Sequence, residues 1–267
     1  LTVAKIVLCF FLAAAAIPAH AASVTPGEAA WVPLGAAAAA NVRAWFGRRA
    51  VLTQFHDKQW HAVAAIPADQ LPGEYLIRYR AEGGGSRREQ FRTFTVGAPR
   101  PFVQIAALRL PAADVGGDAE WWWRDAEVLR RTAVAAERRP QLRFTPPVDA
   151  PLLFPFGAHT PPGAPLAGTI GVAFEAAAGT AVTAPAAAAA TPLRARGCGN
   201  GMILDHGGGL FSIFCGLGKA QTITPGAQLA QGDAIALLQP PQNSTAVVHW
   251  SVRMNGTWIN PAGLVAR

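Results

Sequence analysis

The chain has 267 residues, 51% of them hydrophobic and 15% charged, which fits a globular protein with room for one large domain or two modest ones. Its formal charge is +7, spread over arginine doublets at Arg48-Arg49, Arg87-Arg88, Arg130-Arg131 and Arg138-Arg139. No aromatic-basic motif or helix-turn-helix accompanies that charge, which excludes a nucleic-acid reader and leaves a solvated basic surface, or attraction to anionic polymers or lipid headgroups.

Lys5 is followed by the apolar run IVLCFFLAAAAI over residues 6–17, then Pro18-Ala19-His20-Ala21. A basic start, a short apolar run and a small-x-small site predict a secretory signal over 1–21, cleaved after Ala21. The run is too short for a transmembrane helix, which needs about 20 apolar residues. The expected location is therefore periplasmic or secreted, with no stable membrane span after cleavage. The initial Leu fits a non-ATG start or a missing N-terminus. Cys198 and Cys215 remain after cleavage, and in an exported protein such an even pair predicts a disulfide.

Residues 22–98 predict an Ig-like β-sandwich. Short β-branched and aromatic segments (AWVPL, VRAWF, AVLTQFH, WHAVAAI, GEYLIRYRA, QFRTFTV) recur about every ten residues, with turn signals such as Pro72-Gly73 between them. His56 and His61 fall on neighbouring strands, and without a carboxylate or thiol cluster they are read as surface or structural residues. Residues 99–150 predict a connector with one helix, in which Trp122, Ala126, Leu129 and Ala133 form a stripe over Asp118–Arg139. The run Trp121-Trp122-Trp123 packs that helix better than it stacks on sugars, because consecutive helical residues point in different directions.

Residues 151–267 predict an antiparallel β domain, so the chain as a whole is mostly β. A hairpin pairs Met202–Asp205 with Leu210–Phe214 around Gly207-Gly208-Gly209, and Val247–Arg253 forms a closing strand. Ala186–Ala190 is either strand or loop. The hairpin register puts Cys198 and Cys215 on one face and nearly opposite, close enough to bond with a small offset or bulge. His206-Gly207-Gly208-Gly209 matches a lipase oxyanion loop, but no G-x-S-x-G elbow exists, so a serine hydrolase is rejected.

The segment from Phe156 to Pro261 resembles the lysostaphin-like (LytM-type) zinc endopeptidases, which cleave peptide cross-links in bacterial cell walls. The matching pieces are Phe156-Gly157, the stretch from Ala176 through Gly179-Thr180 to Pro185, Asp205-His206-Gly207-Gly208-Gly209-Leu210, Thr224-Pro225-Gly226 with Gln231-Gly232, and His249-Trp250-Ser251-Val252-Arg253-Met254-Asn255-Gly256. The sandwich is similar to the accessory domain of some secreted members, from Pro26-Gly27 to Ile66-Pro67. The resemblance implies a first zinc motif, His-x-x-x-Asp, whose positions are here Thr169 and Ala173. It implies a catalytic His where Gly216 stands. The last motif is His-x-His, but here it is Val247-Val248-His249, so only the vestigial zinc histidine His249 remains.

Catalytic zinc takes about three protein ligands plus an open water position, and one imidazole does not supply that set. Gly216 and Val247 have no group to orient water or steady an oxyanion. The expectation is therefore a pseudoenzyme with no cofactor, whose groove at Thr169, Ala173, Gly216, Val247 and His249 binds peptidoglycan or a wall hydrolase such as an amidase. Two alternatives stand beside it. One is an active endopeptidase with zinc in a site rebuilt from His159, Glu175 and His249, with His206 and Asp205 as further candidates. The other is an envelope protein whose groove binds nothing. Loss of side chains at Gly216 and Val247 is also expected to open an apolar pocket.

Overall fold

The computed structural model describes residues 23–83, 89–100, 140–157, 170–195, 198–220, 223–238 and 245–265. The signal segment, the helix over 118–139 with its tryptophans, His159 and Thr169 lie outside the described residues. Within them the protein is nearly all β, and Pro261–Leu264 is the one helical turn. No helix among them is long and apolar enough to cross a membrane.

The N-terminal part contains β1 (Ser23–Val24), β2 (Ala29–Pro33), β3 (Asn41–Phe46), β4 (Arg49–His56), β5 (Gln59–Ala65), β6 (Gly73–Glu82) and β7 (Gln90–Val96). They pair in the order β1-β7-β6-β3-β4-β5-β2. The pleat sends alternate side chains to opposite faces. Ile77 and Tyr79 of β6, Phe94 of β7, Ala44 of β3 and Ala62 of β5 thus close one dry core. Tyr79 is buried but not stranded, because its hydroxyl donates to the Leu34 carbonyl at 2.8 Å.

The C-terminal part contains β8 (Leu152–Phe154), β9 (Gly171–Ala176), β10 (Ala181–Thr183), β11 (Ala188–Ala195), β12 (Gly199–Gly207) and β13 (Leu210–Cys215). They are followed by β14 (Lys219–Ala220), β15 (Ala227–Leu229), β16 (Ala234–Leu237), β17 (Ala246–Met254) and β18 (Thr257–Ile259). The main sheet runs β15-β11-β12-β13-β17-β9-β8, with β18 folded back on β17, while β10, β16 and β14 form a small second sheet. The alanine-rich run is thus strand β11, held between β12 and β15. Alanines at 186, 188 and 190 are fully buried, where short side chains let the two sheets approach.

Phe214 of β13 and Trp250 of β17 are direct partners in the ladder, and their rings stack with centroids 6.0 Å apart and planes 1° apart. Phe144 stacks on the other side of Trp250 at 6.1 Å and meets the His206 ring at 4.8 Å. His206 is therefore a core residue. Its Nε2 sits 2.9 Å from Ser212 Oγ and its Nδ1 3.1 Å from the Ala187 carbonyl, so both ring nitrogens have partners. Truncating a buried aromatic of this kind costs about 3–5 kcal/mol.

The two parts share apolar surface. Val63 and Ala65 of β5 belong to the same buried cluster as Phe144 and Trp250, with Trp31 and Leu52 packed against it. In β2 and β5 the residues on one face serve the sandwich core, and those on the other face serve this joint. Polar ties close its edges. The Asn260 backbone N–H donates to the Gly27 carbonyl at 2.6 Å, Asn260 Nδ2 donates to Glu28 Oε1 at 2.9 Å, and Asn255 Nδ2 donates to the Ala50 carbonyl at 3.1 Å.

His61 lies at this joint, with its ring edge-on to Trp31 at 6.3 Å and 6.1 Å from the His56 ring. Burial, and then the neighbouring His56, hold its pKa below the ordinary histidine value. The unfolded chain therefore binds this proton at higher pH than the folded chain. The stability contributed by neutral His61 is present above about pH 6.5 and is lost as pH falls toward the folded-state value. A His61→Gln variant should show a flatter decline of its unfolding midpoint between pH 7 and pH 5 than the parent. Identical slopes would place the proton uptake elsewhere.

Candidate functional site

Every residue singled out on the C-terminal sheet is positioned by one register. Cys215 of β13 faces His249 of β17, which faces Ala173 of β9. The row beside it is Phe214, Trp250 and Val172, and these point into the core. By alternation Cys215, His249 and Ala173 share the opposite face. Val247 and Glu175, the next pair on that face, face each other across the same two strands.

His249 is 7% exposed. Its Nδ1 lies 3.3 Å from Ser251 Oγ. The ring is laid over Gly171, where an added Cβ would come within 2.7 Å of both Cε1 and Ser251 Oγ. Glycine at 171 is thus what lets the imidazole lie flat on β9. On one flank its ladder partner is Ala173, whose methyl carries no donor atom. On the other flank is the sulfur of Cys215, bonded to Cys198 with Cα atoms 4.7 Å apart. A disulfide sulfur is not a thiolate and does not serve as a zinc ligand.

The hairpin brings the cysteines together by bending at its base. Gly199 is left-handed with φ +65°, and the Cys198 carbonyl accepts from the Gly216 N–H at 3.0 Å. The bonded pair forms an apolar patch with Ile203, Phe211 and Ile213, and Ile170, Leu193 and Trp258 pack over it. Arg253, on the same face, holds its guanidinium 5.6 Å from the Trp258 ring centre, and burial lowers its pKa.

Gly216 does not leave a vacated pocket. It is left-handed with φ +77°, and a Cβ built on it would overlap the Val247 carbonyl oxygen. The space is filled by backbone, which corrects the expectation of an apolar pocket at 216 and 247. Val247 itself packs with Leu153, Phe154 and Ala173. Glu175 is exposed, and its Oε1 accepts from Thr245 Oγ1 at 2.5 Å. Asp205 is buried and accepts from the Gly207 N–H at 2.9 Å, which fixes the hairpin turn.

The described side chains around His249 do not make up a catalytic zinc site. Among the described residues no three of His, Cys, Asp and Glu come together as a ligand set. Glu175 is one ladder pair removed from His249, and His206 and Asp205 are committed to the core and the turn. The feature least visible in the sequence was the role of Gly171. It stands inside β9, where a glycine within a strand signals a close approach.

Residues 168–261 match the profile of peptidase family M23. The fold is similar to that of a candidate M23 peptidase from Pseudomonas aeruginosa, with 25% identity and a TM-score of 0.64 over 90% of this chain and 94% of that one. Weaker similarity extends to Helicobacter pylori Csd3, with 18% identity, a TM-score of 0.39, and 47% and 35% of the two chains covered. It also reaches a zinc-containing peptidase from Vibrio cholerae, with 15% identity, a TM-score of 0.36, and 48% and 40% covered. No curated protein matches the chain.

Two measurements test this geometry. Gly216→Ala should lower stability by about 2–4 kcal/mol, combining a left-handed φ with a backbone overlap, as read from denaturant unfolding. An unchanged midpoint would mean the Val247 strand end yields freely. Reducing the disulfide, whose cysteines are 17 residues apart, should cost about 3 kcal/mol by loop-closure entropy. A Cys198→Ser/Cys215→Ser protein as stable as the parent would contradict that.

Proposed function

We propose that the protein, whose residues 168–261 match peptidase family M23, is an exported, non-cleaving member of that family that works by binding. Its partner is peptidoglycan, the polymer on which the family acts, or a hydrolase working on that polymer. The observation that carries the reading is the row across the three central strands. His249 is flanked by the Ala173 methyl and the Cys215 disulfide sulfur, where hydrolysis would need further donors.

The physical argument runs through charge and affinity. A zinc hydroxide nucleophile forms when a cation held by three protein ligands lowers the pKa of its bound water to near 7. One imidazole does not make up that ligand set, and without the set neither the nucleophile nor the Lewis acid forms. Ala173, Val247 and Gly216 likewise offer no side chain that moves a proton. What the family scaffold retains is its shape, on a basic protein of formal charge +7 that is attracted to anionic wall polymers. The basic start and apolar run of residues 1–21 support export.

Zinc stoichiometry after dialysis against trace zinc should stay below about a tenth of an equivalent. Sedimentation with purified sacculi should be positive and unaffected by chelator, and no new peptide ends should appear. A full zinc equivalent that disappears in His249→Ala, together with chelator-sensitive release of wall peptides, would overturn the reading in favour of a rebuilt catalytic site. Failure to sediment with sacculi or to retain an amidase would leave the groove without the binding role proposed.

A further inference from the structure

A second site lies away from His249, where the sandwich meets the C-terminal sheet. A cleft of about 470 Å³ opens between the β3–β4 hairpin and the β17–β18 turn. That is within the range of small-molecule sites, roughly 300–1,000 Å³. Its walls are mostly apolar, with Val51, Ala65 and Pro67 on one side and Met254 on the other. Arg48 and Arg49 stand together at its edge, and no acidic residue lines it.

The polar groups in the cleft divide into those already engaged and those that remain available. The Tyr75 hydroxyl donates to the Leu71 carbonyl at 2.8 Å and accepts from Gln70 Nε2 at 2.6 Å. Asn255 Nδ2 is taken by the Ala50 carbonyl. Arg49 Nη1 donates to Thr257 Oγ1 at 3.3 Å, which anchors one arm of its guanidinium across the joint and leaves the others. Neither Arg48 nor Arg49 forms an ion pair with a described residue. Two adjacent guanidiniums beside an apolar wall, with one of them held in place, make a receptor for a planar anion on an apolar body.

The geometry points to a binding site for a short peptide with a small apolar C-terminal residue and a free α-carboxylate. The carboxylate lies on Arg48 and Arg49, and the side chains lie against Val51 and Pro67. Phosphate fits the guanidiniums equally well but makes no use of the apolar wall. A fatty acid uses the wall but brings no N–H to the side-chain oxygens of Gln70 and Asn255, which line the cleft while their amide nitrogens are engaged. The site does not depend on the state of His249, and it stands whether or not the protein cleaves wall peptides.

Calorimetric titration of the whole exported chain tests it with four small peptides and one fatty acid. The peptides are acetyl-D-Ala-D-Ala and acetyl-L-Ala-L-Ala, each as the free acid and as the C-terminal amide, and the fatty acid is octanoate. At least one free acid should bind, at least about tenfold more tightly than its amide and than octanoate, and the binding should weaken with added salt. Arg48→Gln should weaken it by at least about fivefold without moving the unfolding midpoint, since that side chain is exposed. Preference for the D-peptide identifies the ligand as a wall stem peptide, and equal affinity for both hands identifies a general peptide terminus; either supports the site. Equal binding of acid and amide, tighter binding of octanoate, no effect of Arg48→Gln, or no binding of either acid at millimolar concentration would overturn it.

Discussion

The constraint on which the rest of the structure depends is the register of β13, β17 and β9. Because side chains alternate with period two, placing Phe214, Trp250 and Val172 in the core forces Cys215, His249 and Ala173 onto the other face. A slip of one residue would turn the stacked Phe214–Trp250 pair out of the Phe144 core and put the row that carries the histidine in its place. The ring stack that ends at His206 makes such a slip costly, and Ser212 and the Ala187 carbonyl hold His206 in turn. The placement of His249 is therefore a consequence of packing three layers away from any chemistry.

Around that register the face of the sheet that carries His249 is largely apolar. A disulfide, four aliphatic side chains and two aromatics pack beside the His249 row. Such a surface gains free energy by excluding water, about 25 cal/mol per Å² of apolar area, and charge brought into it would lose hydration. The left-handed backbone at Gly216 turns the strand end onto the Val247 carbonyl and leaves no room there for a side chain.

The two parts of the chain are joined by apolar surface and not merely linked. Strands β2 and β5 are buried on both faces, one toward the sandwich and one toward Phe144 and Trp250. This explains the near-continuous apolar run from Ala62 to Ile66, which a sheet with one wet face would not carry. The same joint brings the Arg48-Arg49 hairpin beside Asn255 and Thr257, and so creates a cleft that neither part has alone.

By itself the sequence determined the β class, the strands of the sandwich, the central hairpin and the cysteine pairing. Each follows from short-range rules: period-two alternation, turn glycines and an even cysteine count. The identities of Ala173, Gly216 and Val247 are likewise read without coordinates. Only the tertiary structure decided that the Gly216 backbone closes on the Val247 carbonyl, that His206 belongs to the core, and that Gly171 seats the His249 ring. Only it decided that two arginines flank a cleft at the joint. These depend on contacts between residues far apart in the chain, such as Gly216 with Val247 or Arg49 with Thr257. Local patterning carries no record of such contacts, because packing between strands is set by register and by the joint between the two parts.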